Sequence, residues 1–300
     1  AALSLFPGVV QVMSDGNLGH FYAQTHRGVV TGFHANRNAS ADLLLIGIVA
    51  SPILARFGPA QSDKPIAFLL VGILSVGVLL TQSRTGLAIL PLAILFAAIV
   101  LQLVHGGAVA WRSIAKWGAM IVAGFTAIVV VALYAGPSRV ANALVRFSAR
   151  NDFRFELWQD GWFAAGQYWP FGSGIGTIQP VLIAAERLEV VDPSAPNRVH
   201  NDFLEYGVEA GVMGPVIATI LLVIGVRMAR VSLGQGRLQR ILVLFATFAL
   251  LALAIHSIMD YPLRSMSLAT LAGLAFGLLS PSAKRQRGPN EGKRQADDLM

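Results

Sequence analysis

What most constrains this chain is the recurrence of apolar runs long enough to cross a bilayer. A spanning helix needs about 20 mostly apolar residues, because the hydrocarbon core is about 30 Å thick and a helix rises about 1.5 Å per residue. Seven runs qualify, the shorter ones marginally: roughly 41–57, 65–82, 86–104, 114–135, 207–228, 240–260 and 264–280. Only 13% of the residues are charged, against roughly 25% in a soluble domain. The expected fold is therefore all-α, a polytopic transmembrane helical bundle of about seven spans with one large helical loop.

The runs divide the chain. Residues 1–40 form a polar N-terminal segment and 41–135 hold the first four spans. Residues 136–206 form the large loop, 207–280 hold three more spans, and 281–300 make a basic tail whose composition reads as disordered. There is no cysteine, which excludes disulfides and thiolate metal sites. The opening residues, AALSLFPGVV, carry neither an initiator methionine nor the basic start of a signal peptide. A chain that begins partway through a longer protein is expected.

Orientation follows from Lys and Arg. Arg56 and Lys64, Arg112 and Lys116, Arg227, Arg230, Arg237 and Arg240, and the tail's Lys284, Arg285, Arg287, Lys293 and Arg294 all fall on one side. That side is expected to be cytoplasmic, with 1–40 and 136–206 facing outward. The net charge of +7 is then topological. The outer loop's arginines (Arg139, Arg146, Arg150, Arg154, Arg187 and Arg198) are outnumbered by its acids, so nucleic acid is not an expected partner.

The outer loop is patterned. Val140, Leu144 and Phe147 stand at amphipathic helical spacing. Asn151 or Asp152 can cap a second helix, whose aromatics Phe155, Trp158, Trp162, Phe163 and, beyond them, Trp169 suit a membrane–water interface. A glycine-rich turn, PFGSGIG, follows.

Several chemistries are missing from the motif pattern. There is no GxxxxGK[ST] phosphate loop, no HExxH and no Asp-x-Asp pair. What remains is a polar set at the outer face. Arg84 sits in a short loop, TQSRTG, where it either snorkels to headgroups or binds an anion. Arg154 opens the aromatic helix at the end where the dipole disfavours a cation. Its partner is Asp152, Glu156 or a lipid phosphate in one reading, a substrate phosphate in the other. His200 precedes an apolar run in HNDFLEYG, where Asn201 or Asp202 can cap a helix. The imidazole itself is not needed for the cap, and near neutral pH it can accept a hydroxyl proton.

Other features have simpler explanations. His256 and Asp260 are four apart, the spacing of a structural hydrogen bond at a span's end. Asp152, Glu156 and Asp160 read as a solvated helix face rather than a metal site. Gly207 and Gly211 form a GxxxG that suits close helix packing. Gly174 and Gly176 could cradle phosphate on backbone N–H groups.

The order GFHANRNASADLL (32–44), SRTG (83–86), RFELW to PFGSGIG (154–176), HNDFLEYGVEAGVMG (200–214) and HSIMDYPL (256–263) resembles the O-antigen ligase and polymerase superfamily. These bacterial envelope enzymes use undecaprenyl-diphosphate-linked glycans. The resemblance covers nearly the whole chain, which looks like the C-terminal two-thirds of a ten- to twelve-span member. It implies that Arg84 and Arg154 hold the donor diphosphate and that His200 activates the acceptor. Asn38, Asn201, Gly174 and Gly176 are supporting candidates.

Together these features lead to an expected metal-independent glycosyltransferase without a cofactor, in the inner membrane and facing the periplasm. Its partners are the lipid-linked donor, a glycan or lipid A-core hydroxyl acceptor, and the bilayer. A polymerase, a protein O-glycosylating enzyme and, from another class, a lipid-linked glycan transporter are the alternatives.

Overall fold

The computed structural model describes residues 1–22, 28–57, 64–107, 112–113, 115–120, 123–124, 153–187 and 197–282. Among these residues every regular element is helical. In chain order they are α1 (Ala2–Met13), α2 (Arg37–Phe57), α3 (Lys64–Thr81), α4 (Arg84–Val104), α5 (Arg154–Gln167), α6 (Ile178–Ala185), α7 (Asp202–Ala210), α8 (Met213–Leu233), α9 (Arg237–His256) and α10 (Met266–Leu278), with a 3-10 turn at Pro262–Arg264. Five of them, α2, α3, α4, α8 and α9, are long and apolar enough to span a bilayer, while α1 and α10 are shorter apolar helices. The molecule is a helical membrane bundle.

Two apolar runs differ from expectation. The run at 207–228 is broken. Asn201 caps α7, which ends at Gly211, and α8 starts at Met213. Gly211 has φ 56°, a conformation that favours glycine, and a side chain there would collide with the Pro170 carbonyl. A Cβ on Gly207 would meet nothing. The GxxxG therefore serves a helix break and a close loop approach rather than helix–helix packing.

The run at 264–280 contributes only the 13 residues of α10, about 20 Å of helix, which falls short of the hydrocarbon thickness. The expected fourth span lies mostly outside the described residues; its described parts are helical. The amphipathic stretch around Val140, Leu144 and Phe147, together with Asn151, Asp152 and most of the tail, also lies outside them.

Helix α2 is the most enclosed span and α8 the least. Leu44, Leu45, Ile48 and Val49 of α2 pack against Leu74 and Val78 of α3, Ile89, Leu90 and Ala93 of α4, and Phe248 and Ala252 of α9. In lipid the drive for such contact is close van der Waals fit, which small residues permit. Gly86 is an instance: a Cβ there would lie 2.7 Å from that of Ala41. A second layer, α9 against α10, buries Val243, Ala246, Ala249, Leu268 and Ala275. A third core, separate from the bundle, joins α5, α6 and α7 through Ala164, Ile178, Leu182, Val199, Leu204 and Val208.

The alternating helices give the bundle two unlike ends. One gathers Arg56, Lys64, Arg227, Arg230, Arg237 and Arg240; there Gly106 lies beside the Arg237 guanidinium, and Ser232 Oγ donates to the Leu279 carbonyl at 2.8 Å. The other gathers the starts of α2, α4 and α8, the end of α9, and the α5–α7 cap. Every candidate site residue stands at this second end.

Candidate active site

The site is built around His200. Its backbone has φ 56°, the left-handed region, which costs a residue other than glycine roughly 1–2 kcal/mol. The flanks hold it there: Val199 is fully buried, Asn201 Oδ1 caps α7 by accepting from Leu204 N at 3.0 Å, and Asp202 N donates to the Ser257 carbonyl at 2.9 Å. The imidazole is pressed edge-on by Phe153, with ring centroids 5.4 Å apart, and lies 4.9 Å from the Tyr261 ring.

His200 Nδ1 lies 3.2 Å from Asp260 Oδ1. Asp260 is nearly sealed from solvent, whereas His200 remains partly open (side-chain exposures 3% and 18%). Asn36 Nδ2 donates to the other Asp260 oxygen at 3.2 Å, and Asn38 Nδ2 donates to it as well. Burial alone would push this carboxyl up, but the hydrogen bonds from His200 and Asn38 and the histidine charges outweigh it and hold Asp260 down at about 2. An ionised carboxylate can only accept, so whenever the imidazole is neutral its hydrogen lies on Nδ1. The basic lone pair is then on Nε2.

This arrangement differs from the pairing expected from spacing. His256 and Asp260 are not side-chain partners. Helix α9 ends at His256, and the following turn carries Asp260 across to His200. His256 Nδ1 instead bonds Asp42 Oδ1 at 2.7 Å, a sealed pair tying α9 to α2.

Arg154 is the first residue of α5, directly after Phe153. The Tyr261 phenol is pushed up by its burial and by Asp260, while the charges of Arg198 and Arg154 act the other way. Both guanidinium groups thus lie within electrostatic reach of the His200 pocket. Arg84 is the first residue of α4, behind a two-residue connection in which Gln82 has φ 53° and Ser83 Oγ accepts from Gly86 N at 3.2 Å. It shares the His200 end of the bundle, next to the start of α2, through the Gly86–Ala41 contact.

The glycine turn is committed to internal bonds. Gly176 N and Ile178 N donate to Glu209 Oε1 at 2.9 and 3.2 Å, and Gly174 N donates to the Glu209 carbonyl at 2.9 Å. Gly174 and Gly176 have φ 104° and 87°. The nest that could cradle a phosphate holds this protein's own carboxylate, and the turn is thereby docked on α7.

A buried ionic cluster was not legible beforehand. Glu205 and Glu209, both fully enclosed, bind Arg198 (2.5 Å to Glu205) and Arg264 (3.0 and 2.6 Å). Asp202 Oδ2 accepts from Ser257 Oγ and Leu263 N at 3.0 and 3.1 Å, and burial pushes this carboxyl up to about 6. The available signal was Asp202, Glu205 and Glu209 at i, i+3 and i+7, one helix face. By contrast Asp160, expected on a solvated face, is buried and paired with Arg187 at 2.9 Å, while Glu156 is exposed. Among the described residues no three His, Asp or Glu side chains gather in a metal-holding group.

Neither the curated proteins nor the solved structures provide a match. Residues 69–219 match the family model described as O-antigen ligase. The match takes in Arg84, Arg154, Gly174, Gly176, His200 and Asn201, and stops short of Asp260, the carboxylate that orients His200. With half of its length matched in this way, and with a helical membrane fold, the chain belongs to the O-antigen ligase family, whose members are ligase- or polymerase-type glycosyltransferases of bacterial surface polysaccharide assembly.

Proposed function

We propose that this protein transfers a glycan from undecaprenyl diphosphate to a hydroxyl acceptor at the periplasmic face of the inner membrane, without a metal ion. The observation that carries the reading is the His200–Asp260 pair, a partly open imidazole oriented by a buried, ionised carboxylate. In the transfer step the acceptor oxygen attacks the anomeric carbon. The bond from that carbon to the phosphate oxygen breaks, and its electron pair leaves with the lipid diphosphate. The hydroxyl proton passes to His200 Nε2, and Asp260 stabilises the imidazolium that forms. Attack opposite the leaving group inverts the anomeric centre.

Arg84 and Arg154 neutralise the departing diphosphate, since arginine stays charged and binds phosphate in a planar fork. Asn38 and Asn36 hold Asp260, Asn201 fixes the helix start beside His200, and Gly174 and Gly176 shape the turn that docks α7. The acceptor is a lipid A-core hydroxyl in the ligase form of the reaction.

The test is reconstitution of the chain in vesicles with a polyprenyl-diphosphate glycan and separate acceptors, with and without EDTA. Chelator-resistant transfer to lipid A core supports the ligase reading. Transfer to free glycan chains reassigns the acceptor to a polymerase. Donor crossing the bilayer with no glycosidic bond formed overturns the enzyme reading in favour of a transporter. Loss of activity on chelation, restored by Mg²⁺ or Mn²⁺, overturns the role given to the arginines.

A further inference from the structure

Helix α5 buries one face and leaves the other unpartnered among the described residues. Asp160, Gly161 and Ala164 turn inward to α6 and α7. Phe155, Gln159, Trp162, Phe163 and Gly166 form a single exposed stripe at i, i+4, i+7, i+8 and i+11. The stripe is mostly aromatic, with the exposed Glu156 beside it in the first turn; Trp162 alone is 68% exposed. The chain then continues into a turn that also exposes aromatics, Trp169 and, at 90%, Phe171. Beyond that first turn the exposed face carries no charge, and an aromatic patch of this kind marks a binding surface.

The position of the turn identifies what covers it. The Pro170 carbonyl accepts from Val212 N at 2.9 Å, and Ser173 N donates to the Val208 carbonyl at 2.9 Å. The turn is thus pinned to the residue immediately before α8. Helix α8 is a span whose surface is apolar and exposed from its first turn, at Met213, Val216, Ile217 and Ile220. The aromatic surface therefore begins level with the point where a spanning helix enters the hydrocarbon, the depth at which Trp prefers to lie.

We propose that the α5 stripe and the 168–172 turn lie in the headgroup boundary of the bilayer as an in-plane interfacial element. The occupant of this face is lipid, not a protein partner. This placement holds whichever acceptor the enzyme uses, and it seats Arg154, at the start of α5, at the depth of lipid phosphates.

The experiment uses the full chain in vesicles of phosphatidylcholine and phosphatidylglycerol. In a protein whose other tryptophans are replaced by phenylalanine, Trp162 should emit at short wavelength. It should be quenched more by lipids brominated high on the acyl chain than by lipids brominated near the bilayer centre, and it should resist aqueous iodide. Because the chain lacks cysteine, Gln159→Cys also gives a single nitroxide position in an otherwise native protein. Its label should relax more strongly with dissolved oxygen than with a water-soluble nickel chelate. Strong iodide quenching or preference for the nickel chelate would place the stripe in water. Protection from iodide, bromolipid, oxygen and chelate alike would show a protein cover, such as a second copy. Either result overturns the proposal without touching the chemistry assigned to His200.

Discussion

Two histidine–aspartate pairs stand one above the other in this molecule. His256–Asp42 is sealed, with side-chain exposures of 1% and 0%, and joins two spans. His200–Asp260 is partly open and joins the α7 approach to the turn after α9. Both pairs draw on α2 and on the chain at the end of α9. Asn38 and Asp42, four apart on α2, serve the open and the sealed pair respectively; Asp260 and His256, also four apart, serve the open and the sealed pair from the turn after α9 and from its last residue. The chemistry of the groups is alike, so access separates their roles. A sealed pair holds helices, and an open one can take a proton from a substrate.

The sharpest way to break this contrast is to remove each imidazole in turn. His200→Ala is expected to lower turnover about 10²–10⁴-fold, the range of general-base assistance, with normal yield of folded protein. His256→Ala is expected to cost roughly 1–3 kcal/mol of stability, because it leaves the buried Asp42 carboxyl without its hydrogen-bond partner. Yield and thermal unfolding in detergent, beside turnover per folded molecule, should show this crossed pattern. Equal losses of stability in both variants would merge the two roles.

Asp260→Asn comes next. The amide keeps the shape but no longer offers a negative charge to the imidazolium, so a loss of about 10²-fold or more in turnover is expected. Because Asp260 is held at about 2, below the ordinary carboxylate range near 4, it stays ionised above that range. Its contribution to stability is present above pH 4 and is lost as pH falls from about 4 through about 2. Activity profiles above pH 4 should thus show no limb from this group. Asn38→Ala removes one donor to that charge; at about 1.5–3 kcal/mol for such a bond, turnover should fall about 10- to 150-fold, with donor binding unchanged.

The smallest effect concerns Asp202, which ties α7 to the turn that carries Asp260. Its carboxyl is raised to about 6 by burial. Below about pH 4 both folded and unfolded chains bind this proton. Between about 4 and 6 the unfolded chain releases it first, so stability declines as pH rises across that window. Asp202→Asn should flatten the slope of unfolding temperature against pH and leave turnover nearly unchanged. A slope that persists would assign the dependence to another group.

Much of the bundle was legible in advance because hydropathy sums a signal over some twenty residues, as in α2, α3, α4 and α9. The break at Gly211 was hidden inside one continuous apolar run, although Gly211 and Pro215 bracket it as helix stop and start signals. Site residues named from motifs fall at one end of the molecule, but their partners did not follow from local spacing. The four-residue interval of His256 and Asp260 pointed to a pair, yet α9 ends between them and each finds an acceptor or donor far away in sequence. Asp202, Glu205 and Glu209 share one helical face, but the arginines that enclose the two glutamates, Arg198 and Arg264, come from outside that helix and do not follow from its spacing.

The central claim is that His200 takes the acceptor proton while other groups hold the donor. His200→Asn tests it most directly, since asparagine tolerates the left-handed backbone at this position. Donor affinity and the single-turnover rate at saturating donor are measured on the folded variant, with and without added imidazole. Retained donor affinity, a slow chemical step and partial recovery with imidazole are the predicted result. Donor binding lost while the chemical step runs at normal speed under saturation would contradict the claim and move His200 into the diphosphate-binding set.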